Sequence, residues 1–549
     1  MTNSIREIRD ADCIFITGSN TAESHPVISY EVIRAAKRGA NVIILDPRRV
    51  PLVDHATLFL QAKPGSDIYV FLAMMHVMLR EEWYDETFVA ERTEGFDEFH
   101  AVVEEYTPQH AALMSGVPAE QIELAARLYA LGERFSGESI YDEERGHSSI
   151  LYAMGITQRS NGTDMVMTLA NMAMLNGHIG KPSTGVNPLR GQSNVQGACD
   201  MGCLVNVLPG YQRVTDGEKR HLLATAWGMD DLPGEVGLTI VEAMHAASEG
   251  KVKAVYVMGE NPMMSDPNTT HVEQALRGLD LLIVQDIFMS ETAMLAHVVL
   301  PAASFMEKDG TFTNTERRVQ LINPVIPAPG IVWPDWQITG ELAARFDAQM
   351  GIERKVEQWR YPDAAAVMDE IAATTAIYRG ITSNRLGRGG LQWPCPDTEH
   401  PGTPYLHVGS FARGLGKLNA ISAKDPAEEA NEEYPFILTT GRVLYHYHTG
   451  TMTRRSEPLS WVEPSSFVEV NVQDAEALDL ADDTTVLISS RRGSVRTRVR
   501  HSESVAPGTV FLAFHWREAS ANMLTQDHTL DPVAKIPEYK VTAVKVEKS

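Results

Sequence analysis

Cysteine is scarce in this 549-residue chain, and its few copies are poorly spaced for metal or disulfide chemistry. The four cysteines are Cys13, Cys199, Cys203 and Cys395, and no two of them form a C-x-x-C pair. Disulfide scaffolds, zinc ribbons and iron–sulfur loops all need closely spaced cysteines. The residues present therefore lack the ligands for these three kinds of site.

Positively charged residues and long apolar runs are also scarce. The chain has 48 Lys and Arg against 72 Asp and Glu, which gives a formal net charge of −24 at pH 7. We expect no nucleic-acid partner, because phosphate binding needs a basic stripe. No apolar run reaches the roughly 18 residues that span a bilayer, and the first residues form no apolar signal core. The sequence predicts a soluble, cytoplasmic protein with no membrane span.

The chain does contain the apolar content of a large globular protein, at 44%, enough for about three to five domains. Two β-rich runs, 13–18 and 41–47, flank a helical pattern over 26–40 that Gly39 would cap. This order predicts a right-handed parallel crossover with ligands at the carboxyl ends of the strands. We interpret the methionines of the helical segment 163–177 as core residues.

An internal repeat is the most informative feature of the organisation. VYVMGENP and LLIVQDIFMS, near residue 255, repeat the strand, Gly-x-Asn turn, helix and strand of the first unit. Gly18 to Asp46 spans 28 positions, and Gly259 to Asp286 spans 27. Ten residues beyond each Asp, the similar runs ATLFL and AHVVL begin. The repeat predicts two half-domains that bind two similar ligands, or two halves of one.

The pattern changes beyond residue 300. TFTNTERRVQ is followed by a stretch rich in Pro and Gly, 323–425, which we predict to be irregular. Six short β-rich runs then follow: YPFILTTGR, SFVEVNV, TTVLISS, SVRTRVR, TVFLAFHW and YKVTAVKVE. Their spacing by turn residues predicts a closed C-terminal β barrel.

The turn GSNTAESHP (18–26) occupies the position of a dinucleotide-binding turn. A Gly-x-Asn turn lets the backbone approach a pyrophosphate, and Glu23, Ser24 and Asp46 could hydrogen-bond a ribose or a guanine edge. The alternative is a plain strand-to-helix turn. The nucleotide-binding interpretation is favoured because the arrangement recurs in the second half-domain, at Gly259, Asn261, Gln285 and Asp286. An NAD-dependent dehydrogenase is disfavoured, since the turn is not G-x-G-x-x-G.

A second polar segment, GVNPLRGQSNVQGACDMG (185–202), has little apolar character and suits a ligand cavity. We predict that Arg190 is a fixed cation that holds a carboxylate through two parallel hydrogen bonds. The alternative is an exposed surface arginine. Cys199 and Cys203 lie four residues apart, and we interpret them as structural.

The segment LYHYHTGTMTRR places His446 and His448 two residues apart, which predicts that they share one face of a strand. A metal site would need a third ligand, and none is nearby. We favour hydrogen bonding to a bound polyanion, assisted by Arg442, with a hydrogen-bonded structural histidine pair as the alternative. Hydrolase chemistry has no support, because neither a G-x-S-x-G elbow nor a Ser-His-Asp order is present.

These segments occur in an order that resembles one family. In chain order they are GSNTAESHP, LDPRR, KPGSD, MGITQ, RGQSNVQGACDMG, MGENP, VQDIF, TFTNTERRVQ, LYHYHTGTMTRR and DPVAKIPEYK. Along nearly its whole length the chain is similar to the alpha (catalytic) subunits of formate dehydrogenases. These belong to the molybdopterin oxidoreductases of the DMSO reductase superfamily. The ACDMG segment resembles formate dehydrogenases more than the related nitrate reductases.

The resemblance implies an α/β fold with two Rossmann-like nucleotide-binding subdomains and a C-terminal double-psi-type β barrel. The implied domains are a first molybdopterin-guanine-dinucleotide domain (1–192), a second, incomplete one (193–300), an irregular connecting domain (301–430) and the dinucleotide-binding barrel (431–549). Two molybdopterin guanine dinucleotides would chelate one molybdenum or tungsten ion. This bis-molybdopterin cofactor would account for the internal repeat.

The resemblance also assigns residues to this cofactor and to the substrate. One nucleotide would be held by Gly18, Asn20, Glu23, Ser24, Asp46, Arg48, Gly65, Asp67, Gly155 and Gln158. The other would be held by Gly259, Glu260, Asn261, Gln285 and Asp286. The barrel residues expected to close over the pterins are Arg442, His446, His448, Thr449, Asn522, Tyr539 and Lys540. Arg190 matches the arginine that orients formate, with Gln192 beside it.

The implied reaction is oxidation of formate to carbon dioxide, with two electrons passing through the metal centre to a partner subunit. That electron-transfer subunit could carry flavin, deazaflavin or iron–sulfur chemistry. Two alternatives stay open: a cofactor-binding module without catalysis, and a nitrate reductase-like oxyanion reductase. The sequence does not distinguish molybdenum from tungsten.

Two departures from the family pattern are notable. The family's selenocysteine or cysteine metal ligand, its catalytic histidine and its [4Fe-4S] cysteines precede the region matched here. We therefore expect the cluster and the ligand only in an upstream segment, lost where a selenocysteine codon was read as a stop, and the chain alone to be inactive. Any export signal would also lie there. The second departure is an insertion, RFSGESIYDEERGHSS (134–149), predicted to be an exposed acidic loop, with a partner contact as the alternative.

Overall fold

The computed structural model describes residues 1–352 and 359–549. The contacts between these residues divide the chain into two compact units. The first unit comprises Met1–Leu189, Met263–Val272 and Tyr405–Ser549, and the second comprises Arg190–Pro262 and Glu273–Pro404. None of the described helices combines the length and the apolar content needed to cross a bilayer. The domain boundaries given by the resemblance stay predictions.

The first 189 residues alternate strands and helices. The strands are β1 (Cys13–Thr17), β2 (Asn41–Leu45), β3 (Leu58–Leu60), β4 (Thr93–Glu94), β5 (Ser148–Tyr152) and β6 (Val186–Pro188). The helices are α1 (Thr21–Ser24), α2 (Pro26–Lys37), α3 (Asp67–Arg80), α4 (Glu86–Arg92), α5 (Phe96–Val103), α6 (Pro108–Ser115), α7 (Ala119–Leu131), α8 (Met154–Thr157) and α9 (Gly162–Leu175).

A five-stranded parallel sheet in the order β3-β2-β1-β5-β6 forms the centre of this region. Strand β1 is buried along its whole length, which explains its continuous apolar sequence. Phe15 packs into the core built on α3, α7 and α9, whereas Ile14 and Ile16 pack into the core built on α2. Helices therefore cover both faces of the sheet. The predicted parallel crossover is confirmed, and the predicted core methionines include Met165 and Met172.

Residues 190–404 contain shorter elements. The strands are β7 (Val207–Leu208), β8 (Gln212–Arg213), β9 (Ala254–Met258), β10 (Leu281–Asp286), β11 (Val298–Pro301), β12 (Gly310–Thr313), β13 (Arg318–Ile322) and β14 (Leu391–Gln392). The helices are α10 (Val195–Asp200), α11 (Gly217–Ala226), α12 (Ile240–Ser248), α13 (Pro262–Ser265), α14 (Thr269–Arg277), α15 (Asp335–Met350) and α16 (Ala364–Thr374).

The internal repeat is visible in the backbone. Strands β9, β10 and β11 form a parallel sheet with the neighbour relations of β1, β2 and β3. The amide of Gly18 donates to the carbonyl of Leu45 at 3.3 Å, and the amide of Gly259 donates to that of Gln285 at 2.8 Å. Each acceptor immediately precedes the aspartate of its half. The repeated turn is confirmed, whereas Rossmann-like nucleotide-binding subdomains stay a prediction.

The stretch predicted to be irregular, 323–425, contains two helices, and that prediction was wrong there. Helix α15 begins after Pro334 and ends at Gly351, which has a left-handed φ of 67°. Helix α16 begins after its N-cap residue Asp363, whose carboxylate accepts a hydrogen bond from the amide of Ala366 at 2.8 Å. Pro334 and Gly351 flank helix α15 and are its start and stop signals, while the helix tolerates Gly340 in its interior.

The C-terminal region forms a closed six-stranded barrel, as predicted. Its elements are β15 (Gly416–Lys417), β16 (Phe436–Gly441), α17 (Glu457–Val462), β17 (Phe467–Asn471), α18 (Val472–Ala477), β18 (Thr485–Ser489), β19 (Ser494–Ser502), β20 (Thr509–Ala513) and β21 (Thr542–Lys548). The barrel order is β16-β20-β17-β19-β18-β21. Buried and exposed residues alternate along most of β19, which is the pattern of a strand with one face inward. The mixed α/β fold and the barrel are confirmed, and its double-psi type stays a prediction.

Two local predictions need correction. Strand β16 ends at Gly441, so His446 and His448 lie in the turns that follow it and do not share a strand face. His448 has a left-handed φ of 49°, which reverses the chain direction there.

The insertion 134–149 is exposed at 135–138, 140 and 142–144, but Arg134 at its start pairs with Asp12 at 2.7 Å. Within the insertion, the rings of Tyr141 and His147 stack at 3.7 Å. Its last two residues already belong to β5. The prediction of an exposed acidic loop is therefore wrong at both ends of the insertion.

Candidate functional site

Two glycine turns meet at the carboxyl edge of the first sheet. Gly18 follows β1, Gly155 follows the neighbouring β5, and the amide of Gly155 donates to the carbonyl of Gly18 at 3.0 Å. A Cβ atom built on Gly18 would lie 2.9 Å from the carbonyl carbon of Gly155, and Gly18 has a φ of +56°. Only glycine allows this approach without strain. The two turns form a cradle of bare backbone where parallel sheets bind ligands.

Two predicted carboxylates border this cradle. Burial raises the pKa of Asp46 to about 6, against the opposing hydrogen bond from the amide of Arg48 at 2.9 Å. Burial also raises the pKa of Glu23, against the opposing charge of Arg48. Glu23 and Ser24 lie on α1, directly after the Gly18 turn. Both side-chain polar atoms of Asn20 are buried without a hydrogen-bond partner in residues 1–352 or 359–549.

The predicted residue Arg48 is fixed by the barrel. Its Nη2 donates to both carboxylate oxygens of Glu469, at 3.1 and 2.9 Å. Its guanidinium carbon also lies 3.5 Å from the centroid of the Phe511 ring. These contacts hold a cation rigidly beside the first turn. Sequence reasoning missed both Glu469 and Phe511, which lie more than 400 positions away in the chain.

Asp67, the first residue of α3, is connected to the glycine cradle by an arginine that the sequence reasoning missed. Arg159 donates from Nη2 to Asp67 Oδ2 at 2.7 Å and from Nε to the carbonyl of Gly155 at 3.0 Å. The predicted Gln158 precedes Arg159 and ends α8. Gly65 precedes α3 and packs against Pro426, which would lie 2.9 Å from a Cβ atom there.

Four basic groups of the first unit interact electrostatically and form what we call the basic cluster: His25, Arg442, His448 and Lys540. Loss of solvation, followed by the charge of Arg442, lowers the pKa of Lys540 to about 7. The same two causes, burial and then Arg442, lower the pKa values of His25 and His448 to about 4. Basic groups that repel one another in this way would be stabilised by an anion placed among them. The basic cluster therefore suits a polyanionic ligand such as a pyrophosphate.

The remaining predicted barrel residues form hydrogen bonds with other residues of the protein. His446 contacts Thr453 Oγ1 at 3.3 Å and the carbonyl of Glu463 at 2.8 Å, which matches the structural alternative for this histidine. Thr449 lies 2.8 Å from the hydroxyl of Thr451. Two further residues donate to the backbone of the 263–272 segment: Asn522 to Met264 at 2.8 Å, and Tyr539 to Ser265 at 3.1 Å.

The predicted residues of the second half-domain make different hydrogen bonds from those at the Gly18 turn. Asn261 Oδ1 accepts from the hydroxyl of Thr292 at 2.8 Å, and Gln285 Nε2 donates to Asp335 at 2.6 Å. Asp286 accepts the amide of Ile287 at 2.6 Å, and burial followed by the charge of Asp286 raises the pKa of Glu260. No described atom lies within 4 Å of a Cβ built on Gly259. This turn is therefore more open than the Gly18 turn.

Arg190 lies in the second unit, directly before the loop that leads into α10. Its amide donates to Thr315 Oγ1 at 3.1 Å, and its Nη1 donates to Cys199 Sγ at 3.1 Å. Its Nε is buried and finds no hydrogen-bond partner in the described part of the chain. The arginine is thus held from two sides and retains donor capacity for an anion. Gln192 follows it, and its carbonyl accepts the amide of Val195 at 3.5 Å.

A buried carboxylate ends helix α10. Asp200 is fully buried and accepts four hydrogen bonds, from Gln196, Tyr211, Tyr378 and Trp393. We call these five residues the Asp200 cluster. Asp200 and Gln196 lie within the polar segment 185–202 that the sequence analysis singled out, but the three aromatic donors lie outside it and were missed. The hydroxyl of Tyr378 also lies 3.0 Å from that of Thr313, a residue of the segment TFTNTERRVQ.

Comparison with known proteins gives consistent matches. Residues 1–345 match the molybdopterin oxidoreductase family, and residues 436–543 match the molydopterin dinucleotide binding domain. The chain is 49% identical over 550 residues to the alpha subunit of F420-dependent formate dehydrogenase 1 from Methanococcus maripaludis, covering 100% of this chain and 78% of that protein. It is 38% identical to formate dehydrogenase H from Escherichia coli, covering 100% of this chain and 74% of that protein.

A solved structure also resembles this fold. Acetylene hydratase from Pelobacter acetylenicus superposes with a TM-score of 0.76 at 19% sequence identity. The match covers 99% of this chain and 81% of that one. At this identity the likeness concerns the fold alone.

Proposed function

Since the chain belongs to the molybdopterin oxidoreductase family, we propose that it is the catalytic subunit of a formate dehydrogenase. The reaction is HCOO⁻ → CO₂ + H⁺ + 2e⁻, in which the C–H bond breaks and the two electrons leave for a partner subunit. The identities of 49% and 38% to formate dehydrogenase subunits, along the whole chain, support this activity.

The observation that supports the cofactor most directly is the basic cluster. A guanine dinucleotide carries a pyrophosphate, and the cluster offers Arg442, Lys540 and two histidines whose basicity is suppressed without an anion. The glycine cradle leaves room for backbone approach, and the unpartnered side chain of Asn20 lies beside it. The residues present therefore fit one molybdopterin guanine dinucleotide. We propose a second at the Gly259 turn, because that turn repeats the first.

The residues of the glycine cradle and the basic residues would bind different parts of the cofactor. The Gly18 and Gly155 turns, with Glu23 and Asp46, would hold the nucleotide, because buried carboxyls match the donors of a guanine edge. Arg442 and Lys540 would neutralise the phosphates. When bound, the molybdenum or tungsten centre would supply the acceptor for the two electrons of formate. Arg190 would hold the formate carboxylate through parallel hydrogen bonds, with Gln192 beside it.

We also propose the nature of the electron acceptor. The relative at 49% identity is named as F420-dependent. Of the flavin, deazaflavin and iron–sulfur options, the proposal therefore selects a partner subunit that reduces F420, a deazaflavin.

The proposal is tested on the protein purified anaerobically in its native assembly. We expect molybdenum or tungsten by mass spectrometry, pterin by fluorescence, and formate-dependent reduction of F420. Arg190→Ala should abolish formate oxidation and leave the metal and pterin content unchanged. Nitrate-dependent oxidation of a reduced dye, without formate activity, would identify an oxyanion reductase instead. Bound pterin with neither activity would support a cofactor-binding module.

A further inference from the structure

The guanidinium of Arg190 is held at one of its nitrogens by a thiol. Arg190 Nη1 donates to Cys199 Sγ at 3.1 Å. Its Nε is buried and finds no hydrogen-bond partner among residues 1–352 and 359–549. A guanidinium can bind a carboxylate through two parallel N–H groups either at its Nη1–Nη2 edge or at its Nε–Nη2 edge. Because Cys199 binds Nη1, the Nε–Nη2 edge is the one left for a ligand.

Cys199 is itself fixed by the packing of helix α10. The next residue, Asp200, is fully buried and accepts the four hydrogen bonds of the Asp200 cluster. At the start of the helix, Asn194 Oδ1 accepts from the amide of Thr313 at 2.8 Å. A Cβ atom built on Gly197 would lie only 2.3 Å from that oxygen, so the helix lies close against its own N-cap side chain. Both ends of α10 are therefore anchored, which restricts where the thiol can lie.

The backbone of Arg190 is fixed separately from its side chain. Its amide donates to Thr315 Oγ1 at 3.1 Å. The arginine is thus bound at its amide and at Nη1, with the flexible part of the side chain between these two points. A free arginine side chain loses rotamer freedom when it binds a ligand, and this loss weakens binding. Because the contact with Cys199 already restricts the side chain, a ligand would cause less of this loss.

Cys203 provides a natural comparison within the same segment. It lies four residues after Cys199, beyond the end of α10, and it is exposed, whereas Cys199 is partly buried. The amide of Cys203 donates to the carbonyl of Ala198 at 3.0 Å, a backbone contact that any residue at this position could make. The contact of Cys199 with Arg190 is made by the thiol itself. The two cysteines therefore form a matched pair for substitution.

We propose that Cys199 is a positioning residue: its Sγ holds Arg190 Nη1, so that the Nε–Nη2 edge of the guanidinium receives the formate carboxylate. This inference rests on the proposed function, since it takes Arg190 as the formate anchor. A buried N–H without an acceptor destabilises the free protein, and a carboxylate oxygen at Nε would supply the missing acceptor. Cys199 acts through the arginine and takes no part in the chemical step.

The first test compares three substitutions in the complete enzyme, kept anaerobic and without an electron acceptor. Ligand-observed NMR measures the Kd for ¹³C-formate. Cys199→Ala removes the sulfur and should raise this Kd about threefold to tenfold, the effect expected when binding must immobilise one long side chain. Cys199→Ser keeps a hydrogen-bond acceptor, and Cys203→Ala changes an exposed side chain, so both should stay within about twofold of the wild-type Kd.

A double-mutant cycle tests whether Cys199 acts through the guanidinium. Lysine has no Nη1 and no planar fork, so in the Arg190→Lys background Cys199→Ala should change the Kd by less than about twofold. In the wild-type background we expect Cys199→Ala to raise KM by the same factor as Kd and to change kcat by less than about threefold. Cys199→Val fills the space of the thiol without an acceptor. It should reproduce the Kd shift even if the alanine variant is unstable.

Each other outcome overturns a different statement. Equal Kd shifts from Cys199→Ala in the wild-type and Arg190→Lys backgrounds would mean that the thiol supports only the general structure, and the inference would fail. A shift in Cys199→Ser as large as that in Cys199→Ala would also overturn it. No shift in Cys199→Ala, with a large one in Arg190→Lys, would overturn the inference and leave the proposed function intact. An Arg190→Ala variant that binds and oxidises formate normally would contradict the proposed function itself.

Discussion

Arg159 and Asp67 form a buried ion pair that connects two candidate ligand-binding turns. Arg159 Nη2 lies 2.7 Å from Asp67 Oδ2, and the two side chains are only 4% and 1% exposed. Arg159 also binds the carbonyl of Gly155, so one guanidinium fixes both the start of α3 and the turn after β5. The geometry of the proposed first nucleotide site depends on this pair.

Removing one partner of this ion pair should therefore lower the stability of the protein. We expect Asp67→Ala to lower the free energy of unfolding by about 3 kcal/mol, because the Arg159 charge would be left buried without its carboxylate. The matched control is Asp164→Ala, whose partner Lys424 is 60% exposed, and which should cost less than about 1 kcal/mol. Urea unfolding followed by circular dichroism measures both. Equal losses would show that the Arg159 pair has no special role.

The two repeated glycines provide a second matched comparison. Gly18 and Gly259 have similar positive φ values, +56° and +63°, but only Gly18 faces backbone within 3 Å. Gly259→Ala should cost about 1 kcal/mol for the left-handed conformation alone. Gly18→Ala should cost about 3 kcal/mol, because the overlap with Gly155 adds to that strain. The same cost in both variants, by thermal unfolding, would contradict the close approach of the two turns.

The lowered pKa of Lys540 predicts how stability depends on pH. Its pKa falls from 10.5 to about 7 in the folded protein. Between these values the unfolded chain binds a proton that the folded protein does not, so stability should rise with pH from 7 to 10.5. Lys540→Met should flatten this rise in the cofactor-free protein. Thermal midpoints measured across that window test the prediction, and parallel curves for the two proteins would refute it.

The same lysine should make anion binding take up protons. Guanosine diphosphate, used as the probe, places a pyrophosphate among the basic groups and should raise their pKa values. At pH 7.5 we expect the wild-type protein to absorb a fraction of a proton per bound nucleotide. Calorimetry in buffers of different ionisation enthalpy measures this uptake. Lys540→Met should show little of it, and an unchanged uptake would place the phosphates elsewhere.

A conservative change at Arg190 tests the form of substrate binding. Arg190→Lys keeps the charge but loses the planar fork, so KM for formate should rise at least about tenfold. Arg213→Lys, at an exposed position of the same unit, is the control and should leave KM unchanged. Steady-state kinetics of the complete enzyme measure KM for formate in both variants. A KM that responds equally to both substitutions would remove Arg190 from the substrate site.

Much of the fold was predictable because the local pattern of apolar residues indicates the strands and helices. Strands β1 and β2 are continuous apolar runs, as parallel strands covered on both faces must be. The barrel strands alternate and are separated by turn residues. The repeat of Gly18 at Gly259 was visible from spacing alone and corresponds to the same backbone hydrogen bond in both halves.

The contacts of the site were less predictable, because they join residues distant in sequence. Asp200 meets Tyr378 and Trp393 across 178 and 193 positions, which no local pattern encodes. Arg159 gave no signal either, since a single arginine in a helical region is usually exposed. The error at His446 and His448 has a local cause: strand β16 ends at Gly441, before either histidine, and spacing arguments do not locate that end.

The discontinuity of the first unit has a consequence for how the protein is made. Its residues come from both ends of the chain, and β21 is inserted between β16 and β18 to close the barrel. A ribosome cannot complete this unit until residue 548 has emerged, after the whole second unit has been synthesised. Residues 1–189 are therefore synthesised long before the barrel strands that complete their unit. Until then, contacts between the first residues and the barrel, such as that of Arg48 with Glu469, cannot form.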